Sequence, residues 1–387
     1  MSMSSRKEYV ARMRERYIAT KAKAAKTRLL DELVEVTGYN RKYAIRLLSG
    51  KARPALVKTK RQRRRLYGEC MSVVALVWEA LDYCCAERLH PRLLPVAEQL
   101  NRHHVVYLTP EIAGQLSTIS RATLGRRLKE MNSPKTRVIS RPRGGCLIKT
   151  DIPIARYEWN ESRPGALEAD VVEHNGGSTS GQYACTLSVT DIVTGWSRRH
   201  AVLGRGQAAF HEALTNTIAR WPYSCWGLHA DNGPEFLSGH VQRFTARHRL
   251  EHTRSRPYKK NDNAHVEQRN RFLREIVGYD RYDTPEAVAW LNQVYDLLDR
   301  YANLVLPTMK LVDKRRQGAK VRKIYDTPRP PYQRVIETGV LTEMERLRLE
   351  REVAAINPLE LHREIQRLLD RPPVALSDQQ KRSADTA

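Results

Sequence analysis

The spacing of apolar residues predicts a helical region at the start of the chain. Between residues 6 and 50 they recur every three or four positions, which is typical of amphipathic helices. The clearest stripe consists of Leu29, Leu30, Leu33 and Val34. Gly38 interrupts this pattern, and Asn40 is suited to cap the helix that follows. Helix, short glycine turn and helix is the layout of a helix-turn-helix unit, although an ordinary αα-hairpin shares it.

A second helical region follows between residues 66 and 132. Its core stripe consists of Val73, Val74, Val77, Trp78 and Leu81. Farther along, Thr109 is placed to cap a helix that begins with Pro110, and Ser120 is placed to cap the next helix. This segment predicts a second helix-turn-helix unit, and it is the better of the two signals.

From about residue 150 to 305 the pattern changes to alternating strands and helices, which is typical of an α/β fold. The predicted strands span 166–172, 183–192, 196–202, 225–230 and 250–254. The predicted helices span 207–220, 234–248 and 285–303, with a further helix that would carry Glu267. The order is a meander of three strands followed by βα units.

The end of the chain predicts a small β-rich module and a terminal helix. Short apolar pieces among basic residues, at 310–316 and 320–325, favour strands. The charged stretch from Thr342 to Arg371 has a helical pattern that is interrupted at Pro358. Residues 372–387 have the composition of a disordered tail.

Net charge is the strongest global property of the sequence. The 67 basic residues exceed the 43 acidic ones by 24, and the sequence pI is about 10.0. Such an excess favours nucleic acid as a partner over anionic lipid or a merely solvated basic surface, because the charge lies beside helix-turn-helix patterns. Residues 51–65 carry eight basic and no acidic side chains, which indicates an arm for a phosphate backbone or, alternatively, a solvated linker.

Two further observations narrow the class of protein. No apolar run approaches the roughly 18–20 residues that span a bilayer, and the first residues lack the apolar core of a signal peptide. A soluble, intracellular protein is therefore expected. The six cysteines form no Cys-x-x-Cys pair and no zinc-like spacing with histidine, which favours buried, reduced thiols.

Three carboxylates stand out in the α/β region. Asp170 lies within an apolar strand, where a charge needs a cation or a hydrogen bond to compensate it. Asp231 follows the fourth predicted strand, and Glu267 lies early in a helix that Asp262-Asn263 would open. Carboxylates are the hard oxygen ligands that Mg²⁺ and Mn²⁺ prefer, so the three residues predict a divalent-metal site.

The order of these motifs resembles a known family. The strand with Asp170, then Asp231-Asn232-Gly233-Pro234-Glu235-Phe236, then Asn261-Asp262-Asn263-Ala264-x-x-Glu267 is similar to the catalytic core of DDE transposases and retroviral integrases. The 35-residue gap between Asp231 and Glu267 matches the spacing of that superfamily. Both motifs resemble the bacterial insertion-sequence branch, and the likeness covers roughly residues 150–305. The zinc-binding N-terminal pattern of the retroviral branch is absent from the sequence.

The resemblance implies a ribonuclease-H-like core, which is a five-stranded mixed sheet with helices on both faces. Asp170 would lie on the central first strand, Asp231 after the neighbouring fourth strand and Glu267 on a helix packed over them. Together they would hold two divalent ions, Mg²⁺ or Mn²⁺, per active site. One ion would activate water or a 3′-hydroxyl as the nucleophile, and the other would stabilise the leaving oxygen.

Other carboxylates compete for these metal-binding roles. Glu168 would share the strand face of Asp170, because it lies two residues before it. The remaining competitors are Asp191, Glu235 and Asp262. The three-part spacing favours Asp170, Asp231 and Glu267. Glu235 is interpreted instead as a residue in the first turn of a helix, where it would favour the macrodipole.

The candidate DNA-binding residues are basic side chains beside these motifs. In the two helix-turn-helix units they are expected to face outward, toward phosphates or base edges. In the core they flank Glu267 in a loop and a helix. A solvated basic face is the alternative interpretation. These residues are Arg41, Lys42, Arg46, Arg121, Arg126, Arg127, Lys259, Lys260, Arg271 and Arg274.

The leading hypothesis is a multidomain DNA transposase of the DDE integrase type. It would bind the terminal inverted repeats of a mobile element, cleave phosphodiester bonds and join the element to target DNA. It would act as a dimer or higher oligomer, with no membrane partner and no small-molecule substrate. The alternatives are a metal-dependent nuclease of the same fold without strand transfer, and a non-catalytic DNA-binding regulator.

The expected domains are an α-helical helix-turn-helix region with its basic arm (1–65), a second helical domain (66–132), a linker (133–149), the catalytic core (150–305), a small β-rich module (306–341) and a C-terminal helix with a disordered tail (342–387).

Overall fold

The computed structural model describes most of the chain and separates it into two compact units. The described residues are 3–50, 67–131, 163–230, 233, 235–254, 270, 273–274, 276–317 and 320–373. One unit runs from Met1 to Leu66 and the other from Tyr67 to Ala387. The predicted basic arm at 51–65, the linker at 133–149 and most of the tail lie outside the described residues.

The described part of the first unit, residues 3–50, contains three helices. They are α1 (Met3–Ala19), α2 (Lys23–Thr37) and α3 (Arg41–Leu48). Gly38 ends α2 with φ of 69°, a left-handed conformation that glycine adopts without a Cβ clash. The Asn40 side chain caps α3 by accepting a hydrogen bond from the Lys42 N–H. The predicted turn and cap are therefore confirmed. The small core of this unit consists of Met13, Leu29, Leu30, Leu33, Ala44 and Leu48.

The second unit begins with five helices. They are α4 (Met71–Ala80), α5 (Ala86–Leu89), α6 (Leu93–Arg102), α7 (Pro110–Thr118) and α8 (Arg121–Glu130). Thr109 caps α7 and Ser120 caps α8, each accepting a hydrogen bond from a backbone N–H as the sequence predicts. The whole predicted stripe from Val73 to Leu81 is buried. Only Ile119 and the cap Ser120 lie between α7 and α8, because α7 continues through Thr118.

A five-stranded mixed sheet lies at the centre of the second unit, in the order β3-β2-β1-β4-β5. The strands are β1 (Ala166–Glu173), β2 (Ala184–Asp191), β3 (Ser197–Leu203), β4 (Gly227–Ala230) and β5 (Glu251–Arg254). β1, β2 and β3 form an antiparallel meander, whereas β4 is parallel to β1 and β5 is parallel to β4. This order confirms the predicted strands and puts the first strand in the middle.

Helices cover both faces of this sheet, as expected. On one face, α9 (Gln207–Ala219) and α10 (Gly239–Arg247) contribute Phe210 and Phe244 to the apolar cluster that contains Leu167 of β1. On the other face, α11 (Pro285–Leu304) packs in a second cluster with Val172 and Ala201. The expected five-stranded mixed sheet with helices on both faces is therefore confirmed.

The helix α11 also covers the open side of the edge strand β3. The Asn303 side chain accepts a hydrogen bond from the Ser197 N–H at 2.9 Å and donates one to the Ser197 carbonyl at 2.7 Å. Asn292 makes the same pair of bonds with Ala201, at 2.8 and 3.0 Å. An uncovered edge strand can pair with another chain, and these side chains occupy the backbone groups that would do so.

The described residues between 306 and 373 form a separate two-stranded sheet and three helices. The strands are β6 (Leu311–Gln317) and β7 (Lys320–Tyr325), and the helices are α12 (Pro331–Glu337), α13 (Glu343–Ala355) and α14 (Pro358–Leu369). The predicted terminal helix is in fact two helices. Thr342 and Glu345 form a capping box at the start of α13, and Asn357 caps α14. Pro358 therefore begins a helix, where its missing N–H costs nothing.

Two expectations concern membranes and thiols. Within the described part of the chain, no helix is long and apolar enough to cross a bilayer. The five cysteines in that part are free thiols, and Cys70 and Cys185 are buried. Cys85 is exposed, so the expectation of buried thiols is wrong at that position.

Candidate active site

Asp170 lies in the middle of β1, the central strand of the sheet. Side chains alternate along a strand, so Asp170 shares a face with Glu168 and Val172, the face on which α11 packs. Its half-buried carboxylate accepts a hydrogen bond from the Val171 N–H at 2.8 Å and one from Nδ2 of Asn270 at 2.5 Å. A charge within an apolar strand needs hydrogen bonds or a cation to stabilise it, and these two donors supply part of that stabilisation.

Asn270 is a site residue that the sequence interpretation did not single out. It belongs to a helical segment whose Leu273 and Val277 pack against Val172, and its side chain is 7% exposed. Asn270 follows Glu267 by three positions, and residues three apart lie on the same face of a helix. That spacing is the signal that could have identified it.

Asp231 and Glu267 lie outside the described residues, but their neighbours in the chain are described. Ala230, the residue before Asp231, pairs with Ala169, the residue before Asp170. Asn270, three residues after Glu267, contacts Asp170 directly. The structure therefore brings the segments next to both motifs to the middle of β1. Within the described residues, no three Asp, Glu, His or Cys side chains group as metal ligands.

Asp191, one of the competing carboxylates, has a structural role. One oxygen accepts a hydrogen bond from the Gly165 N–H at 2.6 Å, and the other accepts from the N–H and hydroxyl of Thr194 at 2.6 and 2.9 Å. Its register partner on β1 is Leu167, so it lies on the sheet face opposite Asp170. Burial raises the pKa of Asp191, while these hydrogen bonds lower it. Asp191 therefore stabilises the turn between β2 and β3 and lies on the opposite face of the sheet from Asp170.

Glu235 does not have the position that the sequence predicts. The helix α10 begins at Gly239 rather than at 234, because Ser238 is the residue that caps it. Glu235 precedes that cap, with a side chain that is only 2% exposed. Arg205 lies 3.5 Å from Glu235 and 2.6 Å from Glu173, so a single guanidinium links both carboxylates. The interpretation of Glu235 as a first-turn helix residue is therefore wrong.

A buried polar row lies beside Asp170 on the same face of the sheet. Glu168, His229 and Thr253 occupy one register level across β1, β4 and β5, and all three are buried. Nδ1 of His229 and Oγ1 of Thr253 share a hydrogen bond of 2.9 Å. Glu168 precedes Asp170 by two residues, and His229 precedes Asp231 by two. The sequence interpretation did not identify His229. The signal that could have identified it is its two-residue spacing from Asp231, which equals the spacing of Glu168 from Asp170.

In the first unit, the structure puts three of the candidate DNA-binding residues on the surface of α3. Arg41, Lys42 and Arg46 are all exposed, which agrees with the predicted outward orientation. Arg41 forms an ion pair with Asp31 of α2. The guanidinium of Arg46 lies 5.4 Å from the centre of the Tyr43 ring, in a cation–π contact.

In the second unit, the candidate DNA-binding residues differ in exposure. Arg121 and Arg126 of α8 are exposed, whereas Arg127 is half-buried and forms an ion pair with Glu130 at 3.0 Å. Arg274 is half-buried and lies 5.8 Å from the centre of the Tyr279 ring. The remaining candidates, Lys259, Lys260 and Arg271, lie outside the described residues.

Comparison with known proteins finds an extensive relative and remote structural likenesses. The chain is 38% identical over 344 residues to the uncharacterized protein y4rM of Sinorhizobium fredii, which covers 86% of this chain and 96% of that protein. No protein-family model matches the sequence. Among solved structures, the chain is similar to the catalytic core domain of BIV integrase, with a TM-score of 0.30, 15% identity and coverage of 45% of this chain and 95% of that one. It is also similar to the HTLV-2 integrase catalytic core domain in complex with magnesium, with a TM-score of 0.29, 15% identity and coverage of 38% and 90%.

Proposed function

The chain belongs to the same family as the protein y4rM of Sinorhizobium fredii, and we propose that it is a DNA transposase of the DDE type. The reaction would be cleavage of phosphodiester bonds at the ends of a mobile element, followed by joining of those ends to target DNA. One observation carries this proposal: the segments next to Asp231 and Glu267 both lie beside Asp170. Ala230, which precedes Asp231, pairs with Ala169, and Asn270, which follows Glu267 by three residues, donates a hydrogen bond to Asp170.

We assign Asp170, Asp231 and Glu267 as the three acidic ligands of the site. Asp231 is bonded directly to Ala230, and consecutive Cα atoms are about 3.8 Å apart, so it cannot lie far from the β1 partner of that residue. Glu267 precedes Asn270 by one helical turn in a segment with the pattern of a helix. Both relations support a common site with Asp170.

The donor set suits Mg²⁺ or Mn²⁺, since all three proposed ligands are carboxylates. When bound, a pair of such ions would activate the attacking oxygen and offset charge on the leaving oxygen. The role of the chain is to orient the ligands. The Val171 N–H and the Asn270 amide hold the Asp170 carboxylate in one orientation.

The basic surface supplies the proposed contacts to DNA. We assign end binding to the exposed arginines and lysine of α3 and α8, in keeping with the net charge of +24. Lys259, Lys260, Arg271 and Arg274 are proposed to contact DNA beside the acidic residues. Self-association into a dimer or higher oligomer is part of the proposal, because both ends of an element must be processed together. The proposed location is the bacterial cytoplasm, at the nucleoid.

A strand-transfer assay tests the proposal. Duplexes that copy both ends of the DNA element around the gene, already cleaved at their 3′ ends, are incubated with target DNA, protein and Mg²⁺ or Mn²⁺. The wild-type protein is expected to give joined products. Asp170→Asn and Asp231→Asn are expected to lower joining by on the order of 10³-fold, with unchanged binding to end DNA. Asp296→Asn, a change at an exposed carboxylate of α11, is the matched control and is expected to leave joining intact.

Three outcomes would count against this function. Joining at the wild-type rate by Asp231→Asn would show that the ligand assignment is wrong. Short cleavage products without joined products, from the wild-type protein, would favour a nuclease of the same fold. A wild-type protein that binds end DNA but neither cleaves nor joins it would favour the non-catalytic regulator.

A further inference from the structure

The hairpin of β6 and β7 is unusually basic and exposed. Between Leu311 and Tyr325 the sequence has six basic residues and one acidic residue. Most of the described side chains in the hairpin are exposed, and only Ile324 is half-buried. No hairpin residue belongs to a hydrophobic cluster of the described chain. The basic residues are Lys314, Arg315, Arg316, Lys320, Arg322 and Lys323.

The register of the hairpin sets like charges opposite each other. Arg315 is the cross-strand partner of Arg322, and position 314 of the chain, also basic, is the partner of Lys323. Directly opposed residues share a face with Cβ atoms about 4.5–5.5 Å apart, and like charges there are destabilising. Arg315 has an ion pair with Asp313 at 2.9 Å, but no ion pair of Arg322 or Lys323 is formed within the described residues. The hairpin therefore carries a repulsion that a bound polyanion would relieve.

The positive charge lies on both faces of the ribbon. Arg315 and Arg322 share one face, because they are register partners. Arg316 and Lys323 belong to the other face, since each is adjacent in its strand to one of that pair. A flat anionic surface such as a membrane can contact only one face of a ribbon at a time. A groove of duplex DNA has a phosphate backbone on either side, which matches charge on both faces.

The base of the hairpin is fixed to the rest of the second unit. The Lys310 N–H donates to the Asp326 carboxylate at 2.6 Å, and the Asp326 N–H donates to the Lys310 carbonyl at 2.9 Å. The buried guanidinium of Arg334 donates to the same carboxylate at 2.8 Å. The Lys310 ammonium donates to the Val193 carbonyl at 2.7 Å, next to the sheet of the core. The exposed strands therefore start from an ordered base, which lowers the entropy lost when they bind a partner.

We propose that the β6–β7 hairpin is a binding element for duplex DNA that enters a groove, with its arginines directed to the phosphate backbones on both sides. The major groove, about 12 Å wide, admits a two-stranded β-ribbon. Phosphates between Arg315 and Arg322 would turn their repulsion into attraction and release condensed counterions. The choice of DNA as the polyanion rests on the proposed function, but the binding itself requires no catalysis.

The test compares two pairs of substitutions with the same change of charge in the full-length protein. Arg315→Gln with Arg322→Gln alters the hairpin, and Arg348→Gln with Arg351→Gln alters the exposed surface of α13. Affinity for a labelled duplex of about 30 base pairs, roughly three helical turns, is measured from 50 to 200 mM salt, on the order of the range where counterion release is resolved. The hairpin variant is expected to bind about tenfold more weakly, with a salt slope smaller by about 1.8, and the control to change less than about twofold.

A stability measurement separates lost contacts from lost folding. Removal of the opposed arginines relieves repulsion, so the thermal midpoint of the hairpin variant should not fall. The substitution Arg322→Glu replaces the like-charged pair by an attractive one. It is expected to weaken DNA binding further while the midpoint stays the same or rises. A midpoint that falls together with DNA affinity would contradict the proposed repulsion and its relief by DNA.

Other results would overturn the inference in distinguishable ways. Equal affinity and salt slope for the hairpin variant and the wild type would remove the hairpin from the DNA interface, while the proposed function would stand. Unchanged duplex affinity combined with lost binding to phosphatidylserine vesicles would assign the hairpin to lipid instead. Binding to DNA is strongest at the lowest salt concentration of the titration, about 50 mM. A wild-type protein without affinity for any duplex at that concentration would overturn both this inference and the proposed function.

Discussion

The two faces of the central sheet have opposite compositions. Along each strand, alternate side chains point to opposite faces, so one sequence contributes to both. The face under α9 and α10 carries Leu167, Ala169, Leu187, Val189, Leu228 and Ala230. The face under α11 carries Glu168, Asp170, Thr186, Ser188, Thr190, Ser197, Arg199, His229 and Thr253. The first face is apolar at these central positions and has polar side chains only on the edge strands and at the end of β2, such as Asp191, Arg198 and His252. The second face is mainly polar.

The faces are stabilised in different ways. The apolar face packs with aromatic side chains, among them Phe210 and Phe236, whose rings meet edge to face at 5.8 Å. The polar face depends on directed bonds, such as the buried ion pair between Arg199 and Asp299 at 2.5 Å. Burial raises the pKa of Asp299, while Arg199 opposes that shift. A buried ion pair is costly to desolvate, so it gives less stability than its short distance suggests.

Some groups on the polar face are not satisfied at all. The hydroxyls of Ser188, Thr190 and Ser197 are buried and have no hydrogen-bond partner within the described residues. An unpaired buried hydroxyl costs free energy. The comparison indicates that the apolar face supplies most of the stability of the fold, while the polar face accepts a cost and holds Asp170.

The largest effect on the free energy of unfolding is expected from a cavity in the apolar face. Phe210→Ala removes a side chain that is 1% exposed and should lower the free energy of unfolding by about 3–5 kcal/mol, because it leaves a cavity. Thr190→Val on the polar face should change it by less than about 1 kcal/mol, since the lost hydroxyl has no partner. Urea titration measures both. A smaller loss for Phe210→Ala than for Thr190→Val would contradict the division of roles between the faces.

The next effect concerns pH and the polar face. His174 is 2% exposed, and its Nε2 lies 2.8 Å from the Thr186 hydroxyl. Burial, with a contribution from Arg274, lowers the pKa of His174 to about 3. The folded state thus prefers neutral His174, so its contribution is present above pH about 6.5 and is lost as the pH falls toward 3. Between pH 6.5 and 4 the loss should be roughly 3 kcal/mol.

Substitution isolates that contribution. His174→Gln keeps a hydrogen-bonding side chain but cannot titrate, so its unfolding free energy should decline less between pH 6.5 and 4 than that of the wild type. His248→Gln, at an exposed histidine, is the control and should follow the wild type. Parallel pH profiles for His174→Gln and the wild type would show that His174 is not a buried neutral group.

The smallest effect tests the orientation of Asp170. Asn270→Ala removes the donor at 2.5 Å from the carboxylate and should slow strand transfer by about tenfold, the lower end of the range for residues that orient a metal ligand. Asn292→Ala removes two hydrogen bonds to β3 and should lower stability without a change in rate per folded molecule. Equal rates for Asn270→Ala and the wild type would remove Asn270 from the site.

The sequence was sufficient for features that depend on local patterns. The strand patterns of the sequence located all five strands of the sheet to within a few residues, because each strand is a short, local stretch of chain. Thr109, Asn40 and Ser120 were predicted as caps, and each cap depends only on the two or three residues that follow it. A predicted helix boundary was wrong where the sequence offers two possible first residues. The helix α10 was predicted to begin at residue 234, but Ser238 caps it and it begins at Gly239.

The order and direction of the strands were expected only through the resemblance to a family. Nothing in the periodicity states that β4 lies beside β1 and parallel to it. That pairing joins residues some 60 positions apart in the chain. It depends on the arrangement of strands that lets helices pack on both faces of the sheet, which is a property of the whole domain.

The sequence by itself therefore determined the positive charge, the elements and three acidic residues at a characteristic spacing. Only the tertiary structure decided that Asn270 contacts Asp170, that Asp191 fastens a turn and that Glu235 pairs with Arg205. The sequence does not show the hydrogen-bond and ion-pair partners of Asp191 and Glu235, because a carboxylate acts through the donors that surround it in space. Those donors come from distant parts of the chain, and folding alone brings them together.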